Sequence, residues 1–457
     1  MAQLETQSGS SLGYKQELKR TLSFKDLVIF GLVTMLPIAP AQVYGMIAPS
    51  SFGMTPLVYL VGILAMLFTA LSYSKMSAEF PYAGSVYSFV QRGLNPHIGF
   101  VTGWLIIIDY ILVPALLYSF AGIWISGLIP SVPSYIWVIV FLIINTYINV
   151  RGVSLAAKTN FIFLIVELFT VFMFLWLAIK YVFIDGGGTG GFTLAPLYQA
   201  DKVNLSFLAS AASIAVLGFL GFDSISTLSE EVKNPKKTVG KATIAALVLI
   251  GALFMAQAYM AALVQPNYAD LHPDMAFFDI TRIVGGEFLY FMWIMVGVAA
   301  VGIANALTVQ AAISRILFSM GRDKLLPFSK FLGQIHPKHQ TPANATYLVA
   351  MLSVVIAAVA DLETIIKYIN FGALTSFMIL HVTVVYHFFF RKKERSMAGI
   401  INYLLFPLIG FLVLLFVWMG FDVMTYVLGF SWLFIGVLVG YFKSKGYKEV
   451  PPALKEV

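Results

Sequence analysis

Apolar stretches of about 20 residues recur along the whole chain, separated by short polar segments that hold most of its lysines and arginines. A helix of that length crosses the hydrocarbon core of a bilayer, and inside that core it satisfies its own backbone hydrogen bonds. Only 11% of the residues are charged, less than half of the roughly 25% that is usual in soluble domains. The pattern predicts an all-α integral membrane protein.

The stretches predict twelve transmembrane helices. Some exceed 25 residues, which indicates tilted helices or helices that continue into the cytoplasm. The predicted spans are 25–48, 55–77, 99–128, 133–150, 154–184, 205–230, 241–264, 285–320, 342–360, 363–388, 399–420 and 422–443.

The basic residues predict the orientation. With the N-terminus in the cytoplasm, all but four of the 29 Lys and Arg residues face inward. Both termini are then cytoplasmic, with tails at 1–24 and 444–457 around a single membrane domain at 25–443. The four basic residues predicted outside are Lys180, Lys202, Arg282 and Lys367.

Composition also narrows the class of protein. The net charge of +7 arises in loops between spans, so topology explains it better than a nucleic acid ligand does, and lipid is the expected surrounding. The chain has no cysteine, which excludes disulfides and thiolate metal sites. The first 24 residues lack an apolar core, so a cleaved signal peptide is not expected. No nucleophile, base or metal ligands cluster at one depth, so neither an enzyme nor a cofactor or metal is predicted.

Two spans contain helix-breaking residues near their middle. The first reads MLPIAP at 35–40, where Pro37 and Pro40 interrupt the backbone hydrogen bonds. The sixth reads GFLGFD at 218–223, with Gly221 beside an acid. Matched breaks in two halves predict a transport site, since unwound backbone exposes groups that bind substrate. A kink that only packs is the alternative.

Three carboxylates, Asp109, Glu167 and Asp223, fall within predicted spans. Each costs about 2.5–3.5 kcal/mol near the bilayer centre, and no Lys or Arg lies clearly at that depth, so a cation is the expected complement. Asp109 is interpreted as a partner for a substrate ammonium or as a carboxylate hydrogen-bonded inside the bundle. Glu167 is either a proton carrier or structural. Asp223 follows the break, where freed amides hold it or substrate contacts it.

Other residues near these features have weaker signals. Tyr110, Phe219 and Phe222 are candidates to line an apolar slot or to offer a ring face to an ammonium. At the cytoplasmic end of the sixth span, Glu230 and Glu231 indicate a gate or interface cluster. A GxxxG motif at 436–440 is typical of helix contacts, within the bundle or between two copies, so a monomer and a homodimer both remain open.

Three blocks of sequence resemble the amino acid–polyamine–organocation (APC) transporters over nearly the whole chain: SAEFPYAGSVYSFV with GFVTGW, GFLGFDSISTLSEEVKNPKKTVGKA, and ISRILFSMGRDKLLPFSKFLGQIHPKHQTPANA. The words NPHIGF, IDYILVP and INFGAL are most similar to the bacterial putrescine importer branch. The resemblance implies a LeuT-like fold in a bacterial cytoplasmic membrane. Two inverted five-helix repeats, about 25–184 and 205–388, would surround a site between broken helices 1 and 6, with extra helices at 399–443.

Two departures from the family pattern bear on function. The resemblance implies, in amino acid permeases, a glycine-rich first break whose amides hold the substrate carboxylate, whereas this chain has MLPIAP. An ammonium substrate without a carboxylate fits better. Many proton-coupled relatives carry a lysine where this chain has Glu167, so the coupling ion, proton or sodium, stays open.

The sequence therefore predicts a secondary active transporter that imports putrescine or a similar small polyamine by alternating access. Glu167 is the coupling candidate. The alternatives are a permease for neutral or cationic amino acids and a transport-dead nutrient receptor. The predicted substrate site comprises Met35, Leu36, Pro37, Ile38, Ala39, Asp109, Tyr110, Phe219, Phe222 and Asp223.

Overall fold

The computed structural model of the chain describes residues 20–81, 85–152, 156–322, 326 and 328–449. Within these ranges the regular elements are helices, and β-type pairing is limited to one isolated bridge between Leu22 and Val232. The α-helices are α1 (Phe24–Met35), α2 (Pro40–Ser50), α3 (Thr55–Glu79), α4 (Ser85–Gly93), α5 (Pro96–Leu128), α6 (Ser134–Arg151), α7 (Ala156–Ile179), α8 (Leu205–Ala215), α9 (Pro235–Val264), α10 (Ala276–Gly297), α11 (Ala306–Arg322), α12 (Ser329–Leu332), α13 (Ala343–Val359), α14 (Leu362–Val384), α15 (Met397–Ile400), α16 (Phe406–Trp418) and α17 (Val423–Lys443).

Several of these helices are extended by tighter or wider turns. The 3₁₀ helices are Val216–Phe219, Phe222–Glu231 and Tyr268–Asp270, and π-helical segments occupy Lys180–Ile184, Val298–Asn305, Val385–Arg391 and Ile401–Leu405.

The described part of the chain contains ten helices that are long and apolar enough to cross a bilayer, and the bent pair α1 and α2 makes an eleventh if it is one span. The helix α13 is apolar but has 17 residues, at the lower limit for a crossing helix. The structure confirms an all-helical, multi-pass membrane protein. Twelve crossings and the inverted repeat stay predictions.

The first span is broken where its prolines lie. Its two helices, α1 and α2, meet at 55°. Between them Leu36 takes a left-handed φ of 53°, and Pro40 begins α2, a position where its fixed φ and missing N–H suit a helix start. The predicted interruption at 35–40 is therefore present in the fold.

The sixth span is interrupted at two residues. After α8 and a short 3₁₀ turn, Leu220 is extended and Gly221 has a φ of 109°, which glycine adopts at little steric cost. The 3₁₀ helix Phe222–Glu231 follows. Four hydroxyl side chains of this helix each donate a hydrogen bond to the backbone carbonyl three residues earlier, the same spacing as the 3₁₀ backbone bonds. They are those of Ser224, Ser226, Thr227 and Ser229.

The GxxxG motif of α17 packs inside the chain. A Cβ on Gly436 would strike the Trp104 ring on α5, and one on Gly440 would lie 3.1 Å from Phe100. The Trp104 and Trp432 rings stack 4.7 Å apart. Each indole N–H also donates to the other residue's backbone carbonyl, at 3.0 and 2.9 Å. These glycines therefore let α17 approach α5 closely.

Candidate substrate site

The two breaks lie side by side. The Thr34 hydroxyl on α1 donates to the Gly221 carbonyl at 3.1 Å. A Cβ on Gly221 would lie 3.0 Å from the Thr34 carbonyl oxygen, so any other residue would push the two segments apart. The unwound parts of the first and sixth spans thus share one region of the bundle.

Asp109 and Tyr110 lie on α5 and face this region. Both keep some accessible surface, although Ile106, Ile107 and Ile108 beside them are buried. Asp109 interacts electrostatically with Asp223 of the sixth span, and Tyr110 interacts with both acids. Among the described residues, Asp109 has no hydrogen bond and no salt bridge.

Asp223, in contrast, is held on several sides. The Ser85 hydroxyl donates to its Oδ2 atom at 2.9 Å, and Ser85 Oγ lies 3.3 Å from the Tyr73 hydroxyl. The backbone N–H groups of Gly221 and Ser224 also face the carboxylate. Asp223 sits in the first turn of its helix, where exposed amides favour a negative charge. Within the described chain, neither acid is paired with Lys or Arg.

The two phenylalanines of the sixth span face different neighbours. Phe222 packs edge-on to Tyr73, with ring centroids 5.4 Å apart, and therefore lies beside the Asp223 site. Phe219 packs against Phe254 at 5.2 Å and Tyr59 at 6.2 Å. Both phenylalanines are fully buried. Phe222 thus lies beside Tyr73 and next to Asp223 in sequence, whereas Phe219 anchors the break to α3 and α9.

Glu167 on α7 faces the first break from another side. Its carboxylate meets the backbone N–H of Ile38, and its Oε2 atom is buried without a hydrogen-bond partner among the described residues. A cavity of about 20 Å³ adjoins it, lined also by Thr34, Asn305 and Thr308. That volume holds about one water molecule. The space beside the carboxylate is therefore of the size of one water molecule or a small ion.

The remaining residues of the first break are buried and shape its backbone. Met35, Leu36, Ile38 and Ala39 expose at most 6% of their surface. The carbonyl oxygen of Pro37 accepts a 2.9 Å hydrogen bond from a side-chain amide on α9, that of Gln257. The Oε1 atom of the same amide is buried and has no partner in the described structure.

The two gate candidates, Glu230 and Glu231, are only partly described by the structure. The side chain of Glu230 lies outside the described residues. The Glu231 carbonyl accepts hydrogen bonds from the N–H groups of Thr21 and Leu22, and the Lys233 N–H donates back to Leu22. The segment before α1 therefore pairs with the end of the sixth span, and a gating role for the two glutamates stays a prediction.

Ser85, Tyr73 and Gln257 are contacts that the sequence did not reveal. Ser85 is the first residue of α4, in a segment where aromatic and small residues alternate, and Gln257 lies in an apolar run. The available signal was that of polar side chains within otherwise apolar or aromatic segments. Such residues are common in membrane helices, so this signal does not select them.

Known proteins similar to this chain are transporters. The family model described as amino acid permease matches residues 30–444. The low-affinity putrescine importer PlaP of Escherichia coli is 29% identical over 443 residues, 96% of this chain and 97% of that protein. The branched-chain amino acid permease BcaP of Bacillus subtilis is 26% identical, with 95% of each chain covered. The methylthioribose transporter of Bacillus subtilis is 25% identical, over 97% and 96% of the two chains.

These matches span nearly the full length of the chain and include both broken helices. The resemblance to transporters rather than enzymes is thereby confirmed. The chain belongs to the amino acid permease family of the APC superfamily and is a membrane transporter.

Proposed function

We propose that this transporter imports a small diamine of the putrescine type by alternating access. One observation carries the proposal: Asp109 and Asp223 interact electrostatically at the helix breaks, and the described residues supply no cationic partner to either. Two neighbouring carboxylates inside a membrane bundle without a counter-charge are unfavourable. A diamine brings two ammonium groups and no carboxylate.

In this proposal the two acids have different tasks. Asp109, which has no partner within the described chain, binds the first ammonium, and Asp223 binds the second. Tyr110 and Phe222 lie beside the acids and contact the methylene chain. The backbone of residues 35–39 closes the site, and Phe219 holds the break in place through its contacts with Tyr59 and Phe254.

Glu167 is the proposed coupling residue, and a proton is the proposed ion. A buried carboxylate without a full set of partners is stable when a proton or cation neutralises it. The adjoining cavity holds about one water, and the Ile38 amide of the break faces the same carboxylate. Protonation of Glu167 would therefore weaken its hydrogen bond to the Ile38 amide, which belongs to the backbone that borders the substrate.

The proposed topology is a LeuT-like fold of twelve helices in a bacterial cytoplasmic membrane, with both termini cytoplasmic. Counting the bent pair once and adding α13 to the ten long helices gives this number. The repeats would be about 25–184 and 205–388. Cysteine accessibility tests it: labels at positions 10 and 452 should react only from the cytoplasmic side, and the chain offers no competing cysteine.

An amino acid permease is the second candidate, supported by the similarity to a branched-chain amino acid permease. The site geometry favours it less. An amino acid carboxylate needs free backbone amides at the first break, but Pro37 and Pro40 offer none and the Ile38 amide faces Glu167. Asp109 and Asp223 would also repel that carboxylate.

The deciding experiment is counterflow in proteoliposomes, with labelled putrescine compared against a panel of neutral and cationic amino acids. The proposal predicts saturable putrescine exchange that excess amino acids do not inhibit. Amino acid exchange without putrescine uptake would overturn it in favour of the permease. Binding of putrescine in detergent without any flux in liposomes would instead indicate a receptor.

A further inference from the structure

We propose that Ser85 and Tyr73 are positioning residues that set the Asp223 carboxylate for the second ammonium of a diamine. This inference rests on the proposed function and adds two residues that do not themselves contact substrate. It is carried by a chain of hydrogen bonds that joins α3, the start of α4 and the broken sixth span.

The donor and the acceptor of each of these hydrogen bonds follow from the chemistry of the three groups. An ionised carboxylate only accepts hydrogen bonds, so the single Ser85 hydroxyl proton is committed to Asp223 Oδ2. Ser85 Oγ can then act toward Tyr73 only as an acceptor, and the Tyr73 O–H is the donor. Each donor polarises the next, which strengthens the bond to the carboxylate.

Tyr73, at the far end of this series of hydrogen bonds, is held rigidly. Tyr73 is 1% exposed, and its ring contacts Phe89, Phe222 and Phe377 edge-on, with centroids 5.4–5.9 Å apart. The tyrosine hydroxyl therefore has a fixed position from which it holds Ser85. Of these rings, Phe222 belongs to the sixth span itself, next to Asp223.

These hydrogen bonds give different roles to the two carboxylate oxygens of Asp223. Oδ2 is occupied by Ser85, and Oδ1 receives no side-chain hydrogen bond from the described residues. Asp109, which interacts electrostatically with Asp223, lacks any such support. Because its carboxylate is held in one orientation, we expect Asp223 to select for the distance between the two ammonium groups of the substrate. Asp109, in contrast, should bind the ammonium of an amine of any length.

A comparison of a diamine with a monoamine tests this role. In proteoliposomes, Ser85→Ala should raise the KM for putrescine about 10-fold to about 100-fold, the range for losing a hydrogen bond to a charged group, while the maximal rate changes little. Inhibition by butylamine, which has one ammonium for Asp109, should be unchanged. Ser85→Thr keeps the hydroxyl and should restore the KM, and Tyr73→Phe should give a smaller shift of the same kind.

The outcomes separate this inference from the function it rests on. If Asp223→Asn raises the putrescine KM but Ser85→Ala and Tyr73→Phe do not, the positioning role is wrong and the substrate site stands. If Ser85→Ala weakens putrescine and butylamine equally, the serine is merely structural and the inference fails. If neither Asp109→Asn nor Asp223→Asn alters putrescine uptake, the proposed function itself fails. Should Ser85→Ala not fold, as judged by its elution in detergent, Tyr73→Phe carries the same test.

Discussion

Replacing Asp109 with asparagine isolates the charge on which the proposed site depends. The substitution nearly preserves the size of the side chain and removes only its negative charge. Asp109 lies within the helix bundle on α5 and keeps only part of its surface accessible, so an ammonium bound there is partly removed from water. Loss of the Asp109 charge should therefore resemble the removal of one partner of a buried charge pair rather than of a surface salt bridge.

The magnitude follows from that environment. Breaking a buried, hydrogen-bonded charge pair costs about 2–5 kcal/mol, and each 1.4 kcal/mol is a factor of about ten in affinity. Asp223 interacts with the same region and continues to attract the amine, which places the loss toward the lower end. We expect putrescine to bind about 30-fold to about 100-fold more weakly.

Equilibrium binding of labelled putrescine to purified protein in detergent measures this loss, with counterflow as the functional readout. Asp185→Asn is a matched control, because this acid is exposed beyond the fifth span and pairs with Lys180 at 3.1 Å. It should bind like the wild type. Wild-type affinity in Asp109→Asn, in a protein that elutes normally, would refute the assignment of the ammonium to Asp109.

Three further predictions address coupling, the sixth break and the ion pair between Lys367 and Asp422. Glu167→Gln should abolish putrescine-driven acidification of the liposome lumen while counterflow persists, and acidification that survives would exclude Glu167 as an obligatory proton carrier. Gly221→Ala should lower the free energy of unfolding by about 1–3 kcal/mol, because its φ of 109° strains any other residue; in thermal unfolding Gly191→Ala, with open space around it, should match the wild type. Burial opposes ionisation of Asp422, but hydrogen bonds from Lys367 and a neighbouring threonine prevail and hold its pKa at about 2. A carboxylate whose pKa is lower in the folded than in the unfolded protein stabilises the folded state at pH values above its unfolded pKa of about 3.9. Asp422→Asn should therefore lower the melting temperature at pH 6, with the difference from wild type shrinking below pH 4. An equal difference at pH 3 would contradict the ion pair.

The sequence predicted those parts of the site that depend on local chemistry. Pro37 and Pro40 broke the first span because proline cannot continue the hydrogen bonds of a helix, and Gly221 supplied the left-handed backbone of the sixth. Apolar length likewise predicted most of the spans. These features act within a few residues, so they can be recognised without knowing the fold.

Contacts between distant segments were beyond such reasoning. Ser85 meets Asp223 across 138 positions of sequence, and no periodicity relates α4 to the sixth span. Phe219 and Phe222 also look equivalent in sequence, yet one packs on Tyr59 and the other on Tyr73. Which face a residue presents after an irregular break depends on the backbone angles at Leu220 and Gly221, and composition does not determine them.

The 3₁₀ helix that follows Gly221 has a mechanical consequence. A 3₁₀ helix rises about 2.0 Å per residue and an α-helix about 1.5 Å, so the ten residues Phe222–Glu231 are about 5 Å longer than they would be as α-helix. Conversion of this segment to α-helix would draw its C-terminal end, which is paired with the residues before α1, toward Gly221 by about 5 Å, about one α-helical turn. The serine and threonine hydroxyls that bond three residues back would have to change acceptors in that stroke. The length of this segment is therefore set by whether its hydrogen bonds reach back three residues, as they do here, or four.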